Sequence, residues 1–129
     1  MSAPPAFVLD TGALIAFERS KRAFVVLLDE ARQAGISIRV PTIVVAEAWR
    51  GGRRSARIAR LLATCEVDPL LEPLARMAGE VLAHVRGASV VDAVVVASAV
   101  MRGAHVVTSD PDDLRPIVAH LGGMPLITI

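Results

Sequence analysis

Tyrosine is missing from this chain, and its other aromatics amount to one Trp and three Phe. Proteins that bind single strands by stacking bases on aromatic rings need a fuller set, so a stacking platform is excluded as the main mode of nucleic-acid contact. Cysteine is as scarce. Cys65 stands alone and cannot form an internal disulfide, which points to a reducing cytoplasm. One thiol and three dispersed histidines, His84, His105 and His120, make no ligand set for structural zinc and read as surface or packing residues. No uncharged apolar run reaches the roughly 18 residues of a membrane span, and no membrane association is expected. Residues 1–5 lack the basic segment and long apolar stretch of a secretory leader. No glycine-rich loop of Walker type occurs, which excludes the P-loop nucleotide enzymes. Repeats, linkers and low-complexity tracts are also missing, and the length suits a single domain over residues 1–129.

What is present is apolar. Hydrophobic residues make up 53% of the chain before its 9 glycines are counted, above the roughly 45–50% usual with glycine included. That excess suggests surface buried in a partner or a second copy. Net charge is only +1, so overall charge gives no argument for nucleic acid. The distribution gives one: Arg50, Arg53, Arg54, Arg57 and Arg60 crowd a short stretch, while Lys21 is the only lysine. Guanidiniums can hold phosphates by paired hydrogen bonds, which suits sequence-tolerant contact with an RNA backbone. A solvated or partner-facing helix would look the same.

Short apolar runs alternate with longer helical ones, the pattern of an α/β fold with a parallel sheet. Strands are expected over residues 7–9, 37–40, 66–68, 105–108 and 126–129. Helices are expected over 13–19, 21–34, 43–49 with Thr42 as cap, 55–64, 72–85, 90–101 and 111–121. Gly51 and Gly52 break the chain between two of them. The helix over 90–101 is apolar nearly all round and must be buried.

Four acids fall at comparable places in this pattern. Asp10 follows the first strand directly, where open α/β sheets place ligands, although it could equally cap the next helix. Asp110 repeats this after the fourth strand, with Pro111 and Asp113 making a capping role natural. Glu47 interrupts an apolar run and needs a wet cleft or an ion pair, with Arg50 the obvious partner. Asp92 is the only ionisable residue on the all-apolar helix, where Ser89 as cap and the helix dipole would also favour an acid. These separate roles do not explain why all four arrive at one sheet edge. Two carboxylates about 5 Å apart repel by roughly 3 kcal/mol at an effective dielectric near 20, so four together call for cations or protons. Oxygen-only ligands suit Mg²⁺ or Mn²⁺, with waters completing the shell.

The segments Phe7-Val8-Leu9-Asp10-Thr11-Gly12-Ala13-Leu14, Val44-Val45-Ala46-Glu47-Ala48-Trp49-Arg50-Gly51, Asp92-Ala93-Val94-Val95-Val96-Ala97-Ser98-Ala99 and Val107-Thr108-Ser109-Asp110-Pro111-Asp112-Asp113-Leu114 occur in this order. Together they resemble the PIN-domain family, in particular its VapC-like toxin ribonucleases, over essentially the whole chain. The resemblance implies a five-stranded parallel sheet in the order 3-2-1-4-5 with helices on both faces. It implies a Mg²⁺-dependent endoribonuclease leaving 5′-phosphate and 3′-hydroxyl ends. Asp10 and Asp92 would be direct metal ligands, and Glu47 and Asp110 would complete the cluster. Asp113 competes with Asp110 for the fourth place, and Thr108 or Ser109 would orient a ligand. The resemblance also implies a small cognate antitoxin and a homodimer. Alternatives are a PIN nuclease of RNA processing outside any toxin system, or a catalytically silent interaction module.

Two other acid-bearing α/β classes fit less well. A phosphoacceptor receiver carries paired acids after its first strand and a lysine late in the chain, whereas Thr11 follows Asp10 here. A dehalogenase-type phosphatase needs a second Asp two residues after the first, where Gly12 stands.

Overall fold

The computed structural model describes residues 5–129. The leader reading falls mainly on residues 1–4, which lie outside the described residues. The element order is β1 (Ala6–Leu9), α1 (Thr11–Glu18), α2 (Arg22–Gln33), β2 (Ser37–Pro41), α3 (Thr42–Ala48), a 3-10 turn (Gly52–Ser55), α4 (Ala56–Leu62), β3 (Glu66–Asp68), α5 (Glu72–His84), α6 (Val90–Arg102), β4 (His105–Thr108), α7 (Pro111–His120) and β5 (Leu126–Thr128). The strands form one parallel sheet in the order β3-β2-β1-β4-β5, as the family resemblance implies. Val8 and Leu9 point to opposite faces of β1, yet both are fully buried, so helices cover both faces.

Helix α6 is buried as expected. Its residues Ala93 to Ala99 are all inaccessible, and it packs against α5, α7 and the central strands β1 and β4. Burial of each of Val94, Val95 and Val96 is worth about 1.5–3 kcal/mol. Gly103 ends the helix in the left-handed conformation, φ 63°, that a side chain would resist. Among the described residues no helix is long and apolar enough to cross a membrane.

The edge strand β3 is three residues long, and only Asp68 of it is buried. Arg39 of β2 grips that carboxylate with Nε and Nη2, both at 2.9 Å, and Arg102 at the end of α6 adds a contact at 3.0 Å. The pairing draws the Arg39 guanidinium pKa further up, chiefly through the hydrogen bonds to Asp68. A strand too short to hold itself is thereby tied to the sheet and to α6.

Two local expectations need correction. Thr42 does not cap α3: Pro41 ends β2 and occupies the cap position itself, leaving no loop residue between strand and helix. The basic helix over 55–64 is instead the 3-10 turn followed by the shorter α4. The buried Ser55 hydroxyl turns back to accept the N–H groups of Arg50 and Gly51, at 2.9 and 3.0 Å, and so cannot cap a helix. His84 and His120 pack as a stacked pair, ring centroids 5.3 Å apart.

Candidate active site

Parallel pairing sets Leu9 beside Val107, so β1 and β4 deliver the residues after them to the same edge. Asp10 leaves β1 with its own N–H bonded to Val107 O at 3.3 Å, and its carboxylate accepts the Ala13 N–H at 2.9 Å. Cap and cleft residue are therefore the same group: Asp10 starts α1 and also lines a cleft at the carboxyl edge of the sheet. It is 7% exposed. Burial raises its pKa above the usual 3.8, hydrogen bonds from Thr108 and Ala13 partly offset this, and the charges of Asp92 and Asp110 push it up again.

Asp92 stands in the first turn of α6, where its N–H donates to Ser89 Oγ at 3.0 Å. Burial is the main cause of its raised pKa, Ser89 counters it, and Asp113, Glu47 and Asp110 add repulsion. Asp110 opens α7 without a side-chain capping bond. It is exposed, and its pKa is raised by a hydrogen bond with Asp113 and by that neighbour's charge. Glu47, exposed on α3, faces the same cleft and makes no ion pair with Arg50, whose Nη1 donates to Trp49 O at 2.7 Å instead.

All four expected acids and Asp113 thus line one cleft of about 420 Å³, and among the described residues no basic side chain lines it. Asp112 is drawn off to Arg115 and is not among the lining residues. Thr108, fully buried at the end of β4, hydrogen-bonds to Asp10 and accepts the Asp110 N–H at 2.9 Å. Ser109 stands against Gly12. A Cβ at Gly12 would lie 2.2 Å from Ser109 Oγ, so a larger residue there would make that exposed hydroxyl turn away. Thr11, Gly12 and Ser89 also line the cleft and were not singled out from sequence as site residues, although Ser89 was visible as a helix cap.

The acids ring the cleft rather than meeting at one point. Among the described residues no three His, Cys, Asp or Glu side chains form one compact cluster. Their mutual repulsion favours this spread. The donor set fits a hard cation: it is all oxygen, it is partly desolvated, and no basic side chain among the described residues lines the cleft. Mg²⁺ commonly takes only one or two carboxylates and keeps several waters, which a ring of this kind accommodates. Thr11 Oγ1, buried without any hydrogen-bond partner in the cleft wall, leaves a polar atom for such a hydrated ligand to satisfy.

Fold and site together define a parallel α/β domain, covered on both faces, with a carboxylate-walled cleft at its carboxyl edge. The PIN domain family model matches residues 7–117, and the chain belongs to that family. The VapBC-5 toxin–antitoxin system of Mycobacterium tuberculosis is 27% identical, with TM-score 0.62 and coverage of 98% of this chain and 100% of that one. DNA-bound VapBC from Salmonella typhimurium has TM-score 0.75 at 19% identity, covering 99% and 98% of the two chains. VapBC2 from Rickettsia felis, bound to a promoter DNA fragment, has TM-score 0.75 at 14% identity, covering 96% and 97%. No curated protein matches the sequence significantly.

Proposed function

We propose that this chain is a metal-dependent endoribonuclease and the toxin of a type II toxin–antitoxin pair. PIN domains are in general nucleases. The observation that carries the reading is the cleft itself: Asp10 and Asp92 are held partly desolvated beside further acids with no basic group among them. That arrangement is costly alone and favourable around a divalent cation. Asp10 and Asp92 would hold Mg²⁺, or Mn²⁺ in its place, with Glu47 and Asp110 completing the shell through waters. A cation there lowers the pKa of water and stabilises charge on the leaving oxygen of a phosphodiester.

The chain's own residues set the geometry around that chemistry. Thr108 fixes the Asp10 carboxyl and, through the Asp110 N–H, the start of α7. Ser89 pins the turn that carries Asp92. Ser109, against Gly12, lies where it can orient a phosphate oxygen or a water.

The toxin part of the reading is supported by likeness to chains from VapBC complexes along nearly their full length. It is also supported by apolar surface, since Val67, Leu70, Leu71 and Met101 are exposed. An antitoxin and a second copy of the chain are the proposed partners, RNA the substrate, and the cytoplasm the place of action. Asp10→Asn and Asp92→Asn should each abolish RNA cleavage while leaving the fold intact, and full activity in either variant would overturn the nuclease reading. The product of the adjacent reading frame should co-purify with the chain and suppress cleavage. Its failure to bind would overturn the toxin reading without touching the nuclease.

A further inference from the structure

Beside the acidic cleft lies a second hollow of opposite character, of about 160 Å³, whose walls include Arg19, Arg50 and Arg54. Arg19 comes from the end of α1, Arg50 from the loop after α3 and Arg54 from the 3-10 turn, so three separate elements contribute an arginine to the walls of one hollow. None of the three is in a salt bridge among the described residues. Glu18 and Glu47 share the walls, which leaves one positive charge in excess. Glu47 also belongs to the acidic cleft, so the two hollows meet at that residue.

The loop that carries Arg50 is held in shape rather than left free. Ser55, 1% exposed, accepts the N–H groups of both Arg50 and Gly51, and Gly51 and Gly52 take left-handed φ values of 81° and 59° to make the turn. Another hollow, which shares Ser89, Asp92 and Asp113 with the cleft, has the single arginine Arg86 in its walls, and its Asp112 is paired with Arg115. Of the two hollows that adjoin the cleft, the one with three arginines offers a polyanion more guanidinium groups.

We infer that the Arg19, Arg50 and Arg54 hollow binds a phosphate of the RNA backbone flanking the one that enters the acidic cleft, and so sets the direction in which RNA lies across the site. The inference rests on the ribonuclease reading. It also narrows the basic segment seen in sequence, because Arg53, Arg57 and Arg60 do not line the hollow. Arg19 lies outside that segment in the chain and could not be grouped with it from sequence.

The test measures binding of a mixed-sequence single-stranded oligoribonucleotide in EDTA, over a range of salt, together with KM and kcat in Mg²⁺. The proteins are wild type, Arg19→Ala, Arg54→Ala and, as a basic residue outside the hollow, Arg57→Ala. Each hollow variant should weaken binding about tenfold or more, the loss of a charge-assisted contact. Each should also make the salt slope shallower by roughly 0.7, one phosphate contact on a single strand. KM should rise with kcat unchanged, and Arg57→Ala should resemble wild type. Unaltered affinity and salt slope in both hollow variants, while wild type binds and cuts RNA, would overturn the subsite alone. Failure of wild type to bind or cut RNA would overturn the nuclease reading and the subsite with it. If the variants lose hold only of an acidic peptide such as polyglutamate, with RNA affinity intact, the hollow is a protein contact and the inference is wrong.

Discussion

Gly12 and Ser109 approach so closely that a methyl group on the glycine would lie 2.2 Å from the serine Oγ. The contact joins the turn after β1 to the turn after β4, the two turns that carry Asp10 and Asp110. Gly12→Ala should therefore turn the exposed Ser109 hydroxyl away from the β1 turn, at a cost of about 1 kcal/mol or less. The double variant Gly12→Ala with Ser109→Ala removes the clashing oxygen and should recover most of that stability in urea unfolding. Equal stability of the single and double variants would show that the contact does not constrain the turns.

Much of this architecture was legible in the residues. The all-apolar stretch around Val94 to Val96 demanded a buried helix, and the strand before Asp10 was placed to within a residue. The sheet order came from family resemblance, because hydrophobic periodicity does not say which strands are neighbours. Long-range contacts between small or polar groups were hidden. Nothing local marks Asp68 as the target of Arg39 and Arg102, or Gly12 as the neighbour of Ser109, since each pair is separated by at least one whole element. That Asp10, Glu47, Asp92 and Asp110 line one cleft follows from the sheet order, which spacing along the chain does not carry.

Asp68 gives a test of the fold that leaves the cleft alone. Asp68→Ala would strand Arg39 and Arg102 beside a strand of three residues. Breaking such a largely buried pair should cost about 3 kcal/mol. Amide exchange should show β3 opening before the rest of the sheet, with the acid cleft intact. Wild-type protection across β3 would contradict its dependence on this ion cluster.

The raised carboxyl pKa values make a prediction with a definite sign. Asp10 and Asp92 hold protons more tightly in the folded chain than at their ordinary value of 3.8. Their contribution to stability is therefore present at low pH and lost as pH rises from that value through the raised folded values. Asp110, fully exposed, is screened and adds little. In EDTA, Asp10→Asn keeps the α1 cap, because Asn caps as well as Asp, but removes a charge. It should melt at or above the wild-type temperature at pH 7, and the difference should shrink as pH falls toward 4. Mg²⁺ should raise the melting temperature of wild type more than that of the variant. A variant clearly less stable than wild type in EDTA at pH 7 would show that Asp10 is not under strain in the empty cleft.

The ends left on cut RNA test the central claim most directly. Purified protein would be incubated with a mixed cellular RNA pool in Mg²⁺ and in EDTA, and the new ends identified chemically and mapped. Hydrolysis by water at the acid cleft predicts discrete cuts in Mg²⁺ only, each leaving a 5′-phosphate and a 3′-hydroxyl. Cuts that persist in EDTA, or that leave 5′-hydroxyl and cyclic phosphate ends, would contradict the account, because the RNA's own 2′-hydroxyl would then be the nucleophile and the carboxylate cleft would have no cation to hold.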